Sequence, residues 1–267
     1  NNGLLDIRDN AEFHNAVIAA PTGRQGIMTL GSTSSSPNFT QLNISGTGTF
    51  NNAGEVQLLN ATMNITASGV ATSRTFLHEG FSGTVNLQDQ ARFENSRQYT
   101  KSGSTLNIGG DSTFRNGLAG TSHTLFSQTN GDTNITGNGV FDNDKTVTLS
   151  GGSTNISGNG FFDNDGLVTL NGGSINLSDV GLMSTSANYT QGGGTVNVQS
   201  GGLFVNEVGA QTANLGGGTF RVHAGGRATN NADINNLGGM ANNGVDLIVE
   251  GGGVLDGTGN FVQNAGT

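Results

Sequence analysis

TNITGNGVFDNDKTVTLSGGS fills residues 133–153, and TNISGNGFFDNDGLVTLNGGS follows at once over residues 154–174; these two 21-residue blocks agree at 16 positions. A unit that recurs at a fixed short period can bury its apolar face only against copies of itself, so the fold must be a stack.

Position zero is the Asn that precedes Ile, Leu or Val in each block. It falls at Asn43, Asn64, Asn86, Asn107, Asn134, Asn155, Asn176 and Asn197, in steps of 21, 22, 21, 27, 21, 21 and 21. Seven residues later stand Phe50, Phe93, Phe114, Phe141, Phe162, Met183 and Phe204. Two further on stand Asn52, Asn95, Asn116, Asn143, Asn164 and Asn206. Another alternating triplet lies near plus fourteen, as Val56/Leu58, Val147/Leu149, Val168/Leu170, Tyr189/Gln191 and Ala213/Leu215. Degenerate units fit the frame with Asp6, Phe13 and Asn15 at the start and with Arg221 and Asn230 late. Taking Leu255 as position zero of a last unit makes Val262 and Asn264 its later positions. The frame leaves loops at 118–123 and 231–244, and both prolines, Pro21 and Pro37, fall in the irregular stretch before the second unit.

Three short alternating segments per unit, joined by Gly-rich bends, predict an all-β, parallel β-solenoid (β-helix). It has three short strands per ~21-residue coil and about 11 coils. Residues such as Thr133 and Ile135 should point inward, and Asn134 outward. A helical reading fails, because Gly recurs every few residues and no 3.6-residue period appears. The domain expectation is a single solenoid over residues 1–267. Residues 1–41 form irregular N-terminal coils, 42–230 regular coils, 231–246 an inserted loop and 247–267 the last coil. Coils ~4.8 Å apart make a rod on the order of 50 Å long. The Phe column should stack in the core, and the Asn52-to-Asn206 column should form an amide ladder at a bend.

Composition agrees with a thin core. Hydrophobic residues are 33% and charged residues 11%, against about 45–50% and about 25% in ordinary domains. The chain has no Cys, which removes disulfides and thiolate chemistry. Its formal net charge is -9, a sign that repels nucleic acid and anionic lipid. No apolar run reaches the ~20 residues of a membrane-spanning helix. Residue 1 is Asn rather than Met, so a mature or excised segment is expected.

The recurring Asn-Ile, Gly-x-Gly-x-Phe-x-Asn and Gly-Gly-Ser/Thr elements of residues 42–230 resemble the right-handed β-helices of secreted bacterial surface proteins. Autotransporter passenger domains and filamentous-haemagglutinin-type adhesins are the most similar. The resemblance implies export, an extracellular or cell-surface location, and a structural or binding role.

The candidate sites are few. The repeated Phe-Asn-flanked carboxylates stack Asp142 over Asp163 and Asp144 over Asp165, a set of hard oxygens that is a candidate calcium site, weighed against a solvated turn. No other cofactor is expected. His14, His78, His123 and His223 share no column or ligand spacing and read as exposed or loop histidines. Serines lack a His and Asp constellation, so a hydrolase triad has no support. The outer face of the first strand is a flat array of hydroxyls and amides, suited to ice or polysaccharide or to plain solvent. Asn38, Asn43, Asn60, Asn64, Asn134, Asn155, Asn176 and Asn188 each begin an N-x-S/T sequon.

The functional expectation is a non-enzymatic extracellular structural protein, an adhesin stalk or a self-assembling fibre subunit. The chain stops about one strand short of the phase in which it starts. Head-to-tail stacking with a second copy, or continuation into a longer parent chain, therefore nearly keeps the register. The alternative is a polysaccharide-binding or polysaccharide-degrading β-helix, with host or matrix glycans as partners.

Overall fold

A computed structural model describes residues 4–15, 27–31, 41–79, 83–117, 121, 123–207, 213–232, 240–243, 245–258 and 261–265. All regular structure among them is β-strand, and every strand pairing is parallel. The chain is a parallel β-solenoid.

One strand from each coil enters the first face, an 11-stranded sheet running in order from Leu4–Ile7 to Asp246–Val249. Its regular part is the eight coils whose strands begin at Gln41, Thr62, Thr84, Thr105, Asp132, Ser153, Ser174 and Thr195. The Asn column is in strict register there, Asn64 opposite Asn43 and so on to Asn197 opposite Asn176. The second and third faces are built from the other strands. In three coils they fuse, because Thr49–Leu59, Val70–Glu79 and Arg92–Ser102 run straight through the bend between them.

Most short strands of the regular coils alternate a buried residue with a half-buried one, as in Thr105–Ile108 and Thr113–Asn116. Inward residues are shut from water completely: Leu106, Ile108, Phe114 and Val147 are 0% exposed. Phe93, Phe114, Phe141 and Phe162 stack face to face along the second face, with centroids 5.1, 4.9 and 4.7 Å apart. Each such ring contributes roughly 1.5–3 kcal/mol by burial. Ala71 interrupts this column between Phe50 and Phe93. Phe76 of the third face makes up the lost volume, lying edge-on to Phe93 at 5.2 Å and stacked on Tyr99 at 5.0 Å. Tyr99 in turn stacks on Phe126 at 5.2 Å, so the third face has an aromatic column of its own.

The Gly-x-Gly bends have a steric cause. Gly137 has φ +61°, a left-handed conformation costly to side-chain-bearing residues. Two residues on, a Cβ on Gly139 would lie 2.4 Å from the Ile108 carbonyl oxygen of the coil below. At Gly139 the coils meet so closely that only hydrogen fits, whereas two coils nearer the N-terminus admit Ala91 and Ser112 at the same position.

The C-terminal frame differs from the sequence reading. Ile248, not Leu255, lies opposite Arg221 on the first face, and Leu255 pairs with Ala228 on the second. Met240–Asn243, inside the expected 231–246 insertion, is a third-face strand paired with Ala213–Leu215. An apolar residue in place of the signature Asn hid the last first-face strand. Most of the 118–123 and 231–244 loops, with Pro21, Pro37 and Asn38, lies outside the described residues.

Candidate functional site

Two asparagine systems organise the molecule, and both begin with the chemistry of a carboxamide: an NH2 donor and a carbonyl acceptor on the same planar group. At the bend after the second face, Asn143 Oδ1 accepts from its own Lys145 N–H at 3.2 Å. Its Nδ2 is then left to reach the next coil, where Asn164 Oδ1 lies at 2.7 Å. Asn95 donates to Asn116, and Asn116 to Asn143, each at 2.8 Å. Asn164 donates to Thr185 Oγ1 at 2.8 Å, while Asn52 donates to Ser73 Oγ at 3.0 Å. Asn206 donates to Asn230 at 2.8 Å. All these side chains are buried.

The second system lies on the outer side of the first face. Asn64, Asn86, Asn107, Asn134, Asn155, Asn176 and Asn197 each donate Nδ2 to the Asn of the preceding coil, at 2.8–2.9 Å. Its N–H groups therefore point toward the N-terminal coil, opposite to the inner ladder. Charges of the fitting sign stand at its two ends: Asp6 lies opposite Asn43, and Arg221 opposite Asn197. Asn43, Asn64, Asn134, Asn155 and Asn176, five of the sequon asparagines, are links of this ladder.

Around this row the face is uncharged. The outward residues of its eight regular coils are the Asn column, the column Gln41 to Thr195 and the column Ser45 to Gln199. Asp132 is the one charged side chain in those columns. On the second face of the same coils the outward side chains include Arg92, Glu94, Arg115, Asp142 and Asp163.

The four aspartates of the calcium expectation are divided between different partners. Asp142 stands opposite both Arg115 and Asp163. Arg115 reaches Asp144 at 2.7 Å and Asp142 at 3.4 Å. Asp165 bonds the Ser186 hydroxyl. Among the described residues no group of three or more His, Asp and Glu is arranged to hold a metal ion. What the arrangement does produce is a strained carboxylate. Among the described residues no cation pairs with Asp163, and partial burial, then Asp165, Asp142, Asp144 and Glu207, raises it to about 6. Burial also pushes Asp142 up, with Asp144 adding to it and Arg115 opposing.

Sequence reasoning missed a third system. The inward column at the end of the third face runs Leu58, His78, Lys101, Gln128, Leu149. His78 was expected to be exposed; it is fully buried, as is Lys101. His78 Nδ1 is 2.9 Å from the Tyr99 hydroxyl. Lys101 Nζ donates to the Asn130 carbonyl at 3.3 Å. Gln128 Nε2 contacts three bend carbonyls, of Gly131, Gly151 and Ser153, each at 3.2 Å, and its Oε1 accepts from Thr133 Oγ1 at 2.7 Å. These side chains satisfy carbonyls that the glycine bends turn inward. Burial pulls Lys101 down to about 7, and burial together with the Lys101 charge pulls His78 down to about 3. Lys101 stands at the same offset from its column Asn as Leu58 and Leu149, but His78 and Gln128 are displaced by steps of unequal length, so the polar column did not show in the sequence. The other histidines are surface groups: His14 lies 3.0 Å from Glu12, and His223 3.0 Å from Glu250.

No protein-family model matches the chain, and no curated protein matches it. Among solved structures it is similar to the crystal structure of a TibC-catalysed, hyper-glycosylated TibA fragment. The identity is 13%, over 97% of this chain and 93% of that one, with a TM-score of 0.26. A likeness at that level decides nothing about what the chain does.

Proposed function

We propose that this chain is a non-enzymatic rod of the bacterial cell exterior, an adhesin stalk or a fibre segment. Its mechanism is geometric. The observation that carries the reading is the parallel 11-stranded first face, with a chain of eight hydrogen-bonded amides along it. Coils tied to each neighbour by backbone and by side-chain ladders resist bending and shear, and a rod of this kind holds a contact surface away from its anchor. A Cys-free, acidic composition suits export and a soluble surface. The resemblance of residues 42–230 to autotransporter passengers and filamentous-haemagglutinin-type adhesins supports the same location.

The first face has a one-sided strand at each end, Leu4–Ile7 and Asp246–Val249. A one-sided parallel strand accepts another. In this reading a further coil covers it, supplied by a longer parent chain or by a second copy stacked head to tail. Electron microscopy of the purified chain across concentrations tests this. Short rods near 50 Å are expected from the ~4.8 Å coil spacing, and fibres at high concentration if copies stack. Round particles would overturn the rod. A second reading, a polysaccharide-binding solenoid, is favoured by the outward columns of the eight regular coils, where Asp132 is the one charge.

A further inference from the structure

The N-terminal end of the first face holds a depression of about 350 Å³, lined by Asp6, Arg8, Asn43, Ser45, Thr66 and Gln88 among others. Its volume is at the small end of ligand sites. We propose that it is a subsite for a sugar unit of a neutral polysaccharide, whose continuing chain lies along the uncharged first face. This rests on the adhesive-rod reading and names the ligand class for it.

Three observations support the proposal. First, the donors and acceptors are those that bind sugar hydroxyls. Asp6 is three-quarters buried in its side chain and pairs with Arg8 through one oxygen. Its other oxygen, Oδ1, is buried and has no hydrogen-bond partner. A carboxylate oxygen in that state lacks a donor, and a hydroxyl supplies one. Ser45, Thr66 and Gln88 both donate and accept, as a hydroxyl requires of its neighbours.

Second, the charge is matched to a neutral ligand. Asp6 and Arg8 cancel, and across the eight regular coils the three outward columns carry a single charge, Asp132; Arg221, Asp246 and Glu250 stand in those columns only past the regular coils. The chain as a whole is at -9, so an anionic glycan is repelled without gaining a counter-charge here. The outward columns of the regular coils hold no apolar side chain, and they lack the apolar centre of a protein–protein patch.

Third, the surface is pre-ordered. Each linked Asn spends one N–H and one oxygen site on the ladder. A second acceptor site remains for a ligand, and a second N–H as well except at Asn176, which also donates to Ser174 Oγ. Groups already held in place lose little entropy on binding. Many weak contacts along one polymer then add up through effective concentration.

Affinity electrophoresis of the purified chain tests this. The probes are dextran, mannan, laminarin and soluble starch, with alginate as the anionic control and chitosan as the cationic one. At least one neutral polymer should retard the chain, equally in low and high salt. Asp6→Ala combined with Gln88→Ala should weaken that binding tenfold or more. Thr66→Arg, which fills the depression from its rim, should do the same if the double variant does not fold. Retardation by alginate or chitosan alone, no retardation by any polymer, or unchanged binding in folded variants would overturn the proposal. Microscopy separates the two readings: rods that bind no neutral glycan sink this subsite and leave the rod standing.

Discussion

Lys101 lies directly opposite His78 in the adjacent coil, and both side chains are shut inside the core. Two ionisable groups in one buried column are a cost that the rest of the solenoid avoids by placing Leu at the same phase, as at Leu58 and Leu149. Lys101 meets the Asn130 carbonyl and His78 Nδ1 meets the Tyr99 hydroxyl, while His78 Nε2 is buried without a hydrogen-bond partner.

This column makes stability depend on alkaline pH. Lys101 falls from 10.5 to about 7 on folding. The unfolded chain therefore holds the extra proton between those values, and stability rises with pH across that window. Below about 7 the full penalty remains. Lys101→Gln, which copies Gln128 of the next coil, should raise the melting temperature at pH 7 and shrink the gap to the parent at pH 9.5. Parallel melting curves of the two proteins at both pH values check it.

Asp163 gives the opposite slope. It rises from 3.8 to about 6 on folding, chiefly through partial burial and then through Asp165 and Asp142. The folded chain binds the extra proton, so stability falls as pH climbs between those values, and the penalty is complete above about 6. Asp163→Asn should stabilise the chain at pH 7.5 and leave it unchanged at pH 3.5. Thermal melts at the two pH values decide it, and equal gains at both would refute a charge origin.

The two amide ladders should differ in worth. Asn116 is fully buried, donates to Asn143 and Thr146 at 2.8 Å each, and accepts from Asn95 at 2.8 Å. Asn116→Ala strands those groups without water, at about 1–3 kcal/mol for each. Asn155 makes the same kind of link on the outer face, but half-buried, where solvent replaces it. Asn155→Ala should cost under about 1 kcal/mol by the same reasoning. Urea midpoints of the two variants measure the difference.

The glycine bends allow a paired test. A Cβ on Gly139 would sit 2.4 Å from the Ile108 oxygen, whereas one on Gly109 would meet Thr136 Oγ1 at 3.4 Å. Gly139→Ala should destabilise the stack by more than about 1 kcal/mol, and Gly109→Ala should be near neutral. Hydrogen exchange should show the loss confined to the coils around residue 139, because a solenoid transmits strain only to neighbours.

Period, strand number per coil and the inward phase of Phe50, Phe114 and Phe162 were all legible in the amino-acid order, because a stack repeats its side-chain demands once per turn. The Asn at the second bend was legible for the same reason: its column is regular and its chemistry two-sided. What the order could not show begins where the frame slips. Asn52 pairs with Ser73 but Glu55 with Thr75, a one-residue deletion in the upper coil. That slip moved Phe76 and His78 out of phase, and the longer 27-residue step did the same to Phe126 and Gln128, so the second aromatic column was invisible until coils were laid on one another; Lys101 keeps the phase of Leu58 and Leu149, and only its neighbours show what it meets there. The split of the four aspartates was equally a matter of space. Sequence puts Asp142, Asp144, Asp163 and Asp165 at one spacing, and only the lateral reach of Arg115 and Ser186 decides which is neutralised and which is left to hold its proton.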